Sequence, residues 1–147
     1  MTNIANLEAW AITQGYDPNV KYQVDDALRP GYVSPHFALK EFACKCCGRT
    51  HKNGVPTRLL DLLEDIRAHF GKPVNINSGY RCPNHNAAVG GAKGSQHLKG
   101  TAADLWISGV DPQKVYDFAD GLVGHAGGVG DYDTFTHIDV RGHKARW

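Results

Sequence analysis

Residues 95–107 read Ser95-Gln96-His97-Leu98-Lys99-Gly100-Thr101-Ala102-Ala103-Asp104-Leu105-Trp106-Ile107. From Thr101 onward the pattern is that of a strand. Ala103, Leu105 and Ile107 fall on one face, and Ala102 and Asp104 on the other, because successive strand side chains point to opposite sides. The residues before Thr101 read as a loop, and Gly100 lets the backbone turn between the two parts. His97 and Asp104 are too far apart for one helical turn. They fit a loop-then-strand arrangement, with His97 hanging from the loop and Asp104 pointing inward from the strand.

A second strand lies downstream in Phe135-Thr136-His137-Ile138-Asp139-Val140. His137 and Asp139 share one face, and Ile138 and Val140 turn to the core. Gly127 to Tyr132 precedes it and completes a hairpin. Between the two strands, Asp111 caps a helix that begins at Pro112. Val115, Phe118, Ala119 and Leu122 form its apolar stripe.

Upstream, residues 56–70 give the clearest helix. Pro56 suits its first turn, where a missing N–H costs nothing. Leu59, Leu60, Leu62, Leu63, Ile66 and Phe70 make a broad apolar face, and Gly71 and Pro73 stop it. Val74–Asn77 reads as a short strand, and a Gly/Asn-rich loop runs from Ser78 to Gly94. Ser34-Pro35 predicts a helix start before Phe37, Leu39 and Phe42. Ile4, Leu7, Trp10 and Ala11 have helical spacing that Gly15 would end. Helices come early and strands late, which favours an α+β fold over a doubly wound sheet.

At 147 residues the chain has the length of one ordinary domain. Its net charge of +1 argues against a nucleic-acid partner held by bulk electrostatics. No window reaches the length of a membrane span. The start of the sequence lacks a basic stretch and an apolar run, so no secretory signal is read. The expectation is synthesis in a cytoplasm, with export by other means if the substrate lies outside.

His97, Asp104 and His137 are the ligand types of a hydrolytic zinc ion that keeps one coordination position open. Such a position holds water, and zinc makes that water a nucleophile near neutral pH. Ala102 is small and shares a face with Asp104, which leaves room for a metal.

These pieces, with Ser78-Gly79-Tyr80-Arg81 and the loop from Asn86 to Gly91, occur in one order. The chain resembles the M15 family of zinc D-alanyl-D-alanine carboxypeptidases and murein endopeptidases, in particular its small subgroup with phage lysins. The resemblance runs from Ser34 to the C-terminus. It implies a zinc peptidase domain at 34–147, with 1–33 an extension of unknown role. It also implies an antiparallel sheet that carries the site, helices packed on one side, and His97, Asp104 and His137 as zinc ligands. The implied partner is a peptidoglycan stem peptide with D-amino acids at the cut bond. Endopeptidase activity is favoured, carboxypeptidase trimming of D-Ala is the variant, and the enzyme is expected as a monomer, with phage lysis as the role the lysin subgroup suggests.

By the same resemblance, Arg81 matches an Arg that grips a substrate carbonyl or carboxylate; pinning its loop by a salt bridge is the structural alternative. Ser95 matches a Ser near the bound peptide, or it caps a local turn. Several relatives place an acid three residues before the last ligand His, where this chain has Thr134. The general base is therefore sought among Asp139, Asp133 and Asp131. Asp139 ranks first because it shares a face with His137, although it could instead orient a ligand or an Arg. Asp133 could also be an ordinary turn residue. His125 is a further cleft candidate.

The four cysteines are Cys44, Cys46, Cys47 and Cys82. Cys44-x-x-Cys47 and Cys82-x-x-His85 suit a second, closed zinc site, with His51 as a further ligand. Buried reduced thiols and a disulfide from Cys82 to the 44–47 group are the alternatives. Two other classes compete for the function: a zinc-containing wall-binding module without catalysis, and a cytoplasmic D,D-dipeptidase.

Overall fold

The computed structural model describes residues 30–147. The helix predicted near Ile4, and most of the extension to residue 33, lie outside the described residues. Helix α1 (Thr57–Phe70) starts one residue after Pro56 and ends at Gly71, whose φ of 65° is left-handed. Leu59, Leu60, Leu62, Leu63 and Ile66 are buried. Each such side chain contributes about 1.5–3 kcal/mol on leaving water, so α1 is the main apolar pillar of the core.

A five-stranded sheet lies against the helices. Its strands are β3 (Asn75–Ser78), β4 (Ala102–Trp106), β5 (Gly128–Asp131), β6 (Thr136–Asp139) and β7 (Ala145–Arg146), following β1 (Tyr32–Ser34) and β2 (Phe37–Ala38) earlier in the chain. The order across the sheet is β3-β4-β6-β5-β7. All neighbours are antiparallel except β5 and β7, which run parallel. The two-residue β7 has no hydrophobic period of its own, and the sequence reading omits it.

Register decides which face does what. Asp104 lies opposite His137, and Ala102 opposite Asp139. Gly130 flanks His137 on its other side. The alternate residues Ala103, Leu105, Ile138 and Val129 are buried in the apolar cluster with α1 and with the helix Pro112–Val123. That helix has Asp111 as its cap, accepting from the Gln113 N–H at 3.0 Å. One sheet face is therefore the core and the other is free to hold polar side chains. The architecture is α+β, as expected.

Two local expectations need correction. Ser34-Pro35 does not start a helix. Ser34 ends β1, Pro35-His36 forms the turn to β2, which pairs antiparallel with β1, and only a 3-10 turn follows at Leu39–Phe42. Glu64 of α1 decides this by accepting from Ser34 Oγ (2.7 Å), the His36 N–H (2.9 Å) and His36 Nδ1 (2.6 Å). These bonds hold the turn extended. The loop from Ser78 to Gly94 also contains a helix, α2 (Pro83–Ala88), with Cys82 as its cap and Pro83 in its first turn. The helix Pro112–Val123 is hence α3.

Candidate metal centre and cleft

His97 sits on a 3-10 turn, Gln96–Lys99, that ends at Gly100 with φ 71°. This confirms the turn into β4. Asp104 projects from β4 and His137 from β6. One donor atom from each of the three lies within 4.8 Å of the others. His97 Nε2 is 3.1 Å, and His137 Nδ1 2.9 Å, from Asp104 Oδ1. All three residues are buried.

The outer nitrogens fix the chemistry of the inner ones. His97 Nδ1 donates to the Gly79 carbonyl at 2.7 Å. A carbonyl can only accept, so Nδ1 carries the proton and Nε2 presents a lone pair. His137 Nε2 donates to Asp139 Oδ2 at 2.8 Å, which leaves Nδ1 as the lone-pair side. Two lone pairs and a carboxylate oxygen then meet at one point, and only a cation satisfies all three. Tetrahedral zinc with bonds of about 2.0–2.1 Å sets its donors about 3.3 Å apart, close to the spacing here. The donor set fits the metal.

The electrostatics agree. Burial pushes the Asp104 carboxyl up, but positive charge at the facing nitrogens of His137 and His97 outweighs it and holds the group at about 2. Burial lowers His137, while Asp104 and Asp139 on either side raise it to a net upward shift. The pocket attracts positive charge, whether proton or metal.

Close packing sets the supporting carbonyl. A bulge in β3 places Ser78 across from Asp104 and leads into Gly79. A Cβ at Gly79 would lie 2.7 Å from Phe42 Cα, and the Tyr80 N–H donates to Phe42 O at 2.9 Å. Only glycine permits this approach.

The three ligand residues open onto a cleft of about 520 Å³ whose lining includes Arg81, Ser95, Tyr132, Phe135, Arg141 and Trp147. Sequence reasoning missed the aromatic wall. Tyr132 and Phe135 stack at 4.3 Å, and Trp147 Nε1 donates to Tyr132 Oη at 2.8 Å. Trp147 also packs beside His137, with ring centroids 4.9 Å apart. Arg141 lies over the Trp147 ring at 5.1 Å. The alternation 137, 139, 141 was a usable signal for Arg141; nothing local marked Trp147.

The family described as Peptidase M15 matches residues 35–139. This chain belongs to the Peptidase M15 family. Over 126 residues it is 38% identical to the peptidoglycan L,D-endopeptidase MepK of Escherichia coli K12, a match covering 80% of this chain and 68% of that protein. It is 41% identical over 141 residues to a probable peptidoglycan L,D-endopeptidase MepK of Haemophilus influenzae, covering 89% and 66% of the two chains.

In this M15 chain the three acids proposed as base are placed very differently. Asp139 is fully buried. Its Oδ1 accepts from the Gly128 N–H (2.9 Å), the Arg141 N–H (3.1 Å) and Arg141 Nε (2.9 Å). Its Oδ2 accepts from His137 and from an Arg141 terminal nitrogen at 2.7 Å. Burial alone would raise its pKa, but His137 and Arg141 hold it well below the usual carboxylate range. Both oxygens of Asp139 are thus occupied by protein donors, and one of them holds His137 Nε2. Asp131 pairs with Thr136 in the register. It therefore lies on the helix face of the sheet, away from His137. Asp133 is exposed on the turn between Tyr132 and Phe135, outside the cleft lining.

Arg81 is gathered into the site. Its Nε donates to Ser78 Oγ (3.1 Å), and its terminal nitrogens reach Asn86 Oδ1 (3.0 Å) and Asp104 Oδ2 (3.4 Å). Ser95 lines the cleft and also caps the 3-10 turn, its Oγ accepting from the His97 N–H at 3.2 Å. His125 is exposed on a turn after α3, outside the cleft lining. His51 accepts from the Asn53 N–H and packs edge-on to Tyr80, apart from the cysteines.

Proposed function

We propose that this chain is a zinc-dependent L,D-endopeptidase that cuts peptide bonds between L- and D-residues in bacterial peptidoglycan. The convergence of His97 Nε2, Asp104 Oδ1 and His137 Nδ1, each histidine with its other nitrogen already committed, carries this reading. The names of the similar proteins support the substrate. The working domain in this reading is 34–147, with 1–33 an extension, and the site is complete within one chain, which suits a monomer.

His97, Asp104 and His137 would hold the zinc. Bound there, it supplies an acidified water and polarises a carbonyl oxygen. The Arg81 guanidinium pairs with the substrate's carbonyl or carboxylate and stabilises negative charge developing on oxygen. Ser95 offers a hydroxyl beside the peptide. Tyr132, Phe135 and Trp147 give an apolar wall for the stem peptide, and Arg141 adds positive charge. Asp139 keeps His137 in the ligating tautomer.

Asp133 is the proton acceptor in this reading. Its carboxylate makes no hydrogen bond or ion pair among the described residues. It sits on the turn between Tyr132 and Phe135, which both line the cleft.

The test is digestion of purified peptidoglycan with muropeptide mass spectrometry. Cleavage at an L,D bond that stops with a chelator and returns with zinc is the expected result. Binding without cleavage in added zinc would leave a wall-binding module. Hydrolysis of free D-Ala-D-Ala alone would leave a dipeptidase. Release of terminal D-Ala only would leave a carboxypeptidase.

A further inference from the structure

The four cysteines form a second donor cluster that the reaction does not use. One sulfur from each of Cys44, Cys46, Cys47 and Cys82 lies within 4.8 Å of the others. Cys46 Sγ is 3.7 Å from Cys44 Sγ and 3.2 Å from Cys82 Sγ. A zinc–sulfur bond of about 2.3 Å in a tetrahedron puts sulfurs about 3.8 Å apart, and the cluster is already near that size. The sequence pattern favoured His85 as the fourth ligand. The structure brings Cys46 in instead, and His85 enters only through its backbone N–H, which donates to Cys82 Sγ at 3.4 Å.

The backbone is shaped to hold thiolates. Gly48 follows Cys47 with φ 72°, and its N–H closes the turn onto the Cys44 carbonyl at 2.8 Å. The Cys44 N–H donates to Arg49 O at 2.8 Å, bracketing the turn. The Cys82 N–H is aimed at Cys44 Sγ at 3.4 Å. Four sulfurs this close cannot all ionise without a cation between them.

We propose that Cys44, Cys46, Cys47 and Cys82 bind one zinc ion in a closed, four-thiolate structural site. Thiolate donors select zinc over harder divalent cations, and four ligands leave no position for water. The site ties the loop after the 3-10 turn Leu39–Phe42 to the start of α2. Cys82 follows Arg81 directly, so the ion also anchors the segment that carries the cleft arginine. This site stands independently of the cleft reaction.

Metal counting on the full chain, purified under reducing conditions, tests it. The wild type should hold two zinc ions and the His97→Ala/His137→Ala double variant one. Cobalt loaded into that double variant should give the intense sulfur-to-metal charge-transfer absorption of a tetrahedral thiolate site. Cys46→Ser should lose this ion, and His85→Ala should keep it. The proposal is overturned if the folded double variant holds no metal and its thiols react freely. It is equally overturned by a mass showing a Cys46–Cys82 disulfide, or by loss of the ion in His85→Ala.

Discussion

His97, Asp104 and His137 are buried side chains carried by a sheet and one short turn. Of the cysteines, only Cys44 is buried, and Cys46 and Cys47 are exposed on a loop. The first cluster is held from behind, because Gly79 and Asp139 fix the rings whether or not a cation is present. The second is held mainly by turn backbone and by whatever binds its sulfurs. A preorganised site tolerates loss of its ion; a loop-borne site depends on the ion for its shape.

The largest effect should come from the buried cluster. His97→Ala or His137→Ala should abolish peptidoglycan cleavage while circular dichroism stays native. Retained cleavage in either variant breaks the assignment of the ligands.

Next is the support behind those rings. Asp139→Asn should weaken zinc binding or activity by about 10–100-fold, read by competition with a chromogenic chelator. An unaltered affinity would mean that His137 needs no orienting partner.

Chelation sharpens the contrast between the clusters. Excess chelator should lower the melting temperature of the wild type and of the His97→Ala/His137→Ala variant. Zinc at about 100 times its Kd adds roughly 2.7 kcal/mol to the folded state, and that increment is what is lost. Cys82→Ser should start from the lower value and respond little to chelator. An equal response in all three proteins would place the stabilising ion elsewhere.

The smallest effect concerns the hairpin that leads into the cysteine loop. Burial would raise the pKa of Glu64, but bonds from Ser34 and His36 bring it below its ordinary 4.5. A carboxylate depressed in the folded state adds stability above its unfolded value and loses it as pH falls through the folded one. Glu64→Gln should therefore cost about 1–3 kcal/mol at neutral pH, and the two proteins should converge in acid. Denaturant titrations at neutral and acid pH check the sign; a gap that widens in acid contradicts it.

Much of the scaffold was legible from local pattern. The leucines of α1, the Asp111-Pro112 start of α3 and the alternation in β4 and β6 are short-range signals, and each element formed where they pointed. The donor trio followed, because alternation put Asp104 and His137 on site-facing sides of their strands. Helix α2 was missed although Cys82-Pro83 is a reasonable start, since six residues bury too little to leave an apolar period. The β1–β2 hairpin was read as a helix because its arbiter, Glu64, lies far along the chain.

The sequence by itself determined the apolar faces, the caps and the kinds of donor atom, because each depends on neighbours within a turn or a strand. Only the tertiary structure decided which atoms meet. It buried Asp139 against Arg141 and Gly128, gathered Cys46 with the other three sulfurs, and brought Trp147 to the cleft by a parallel β7. Each of these is a long-range contact fixed by sheet register and loop closure, and no local periodicity encodes it.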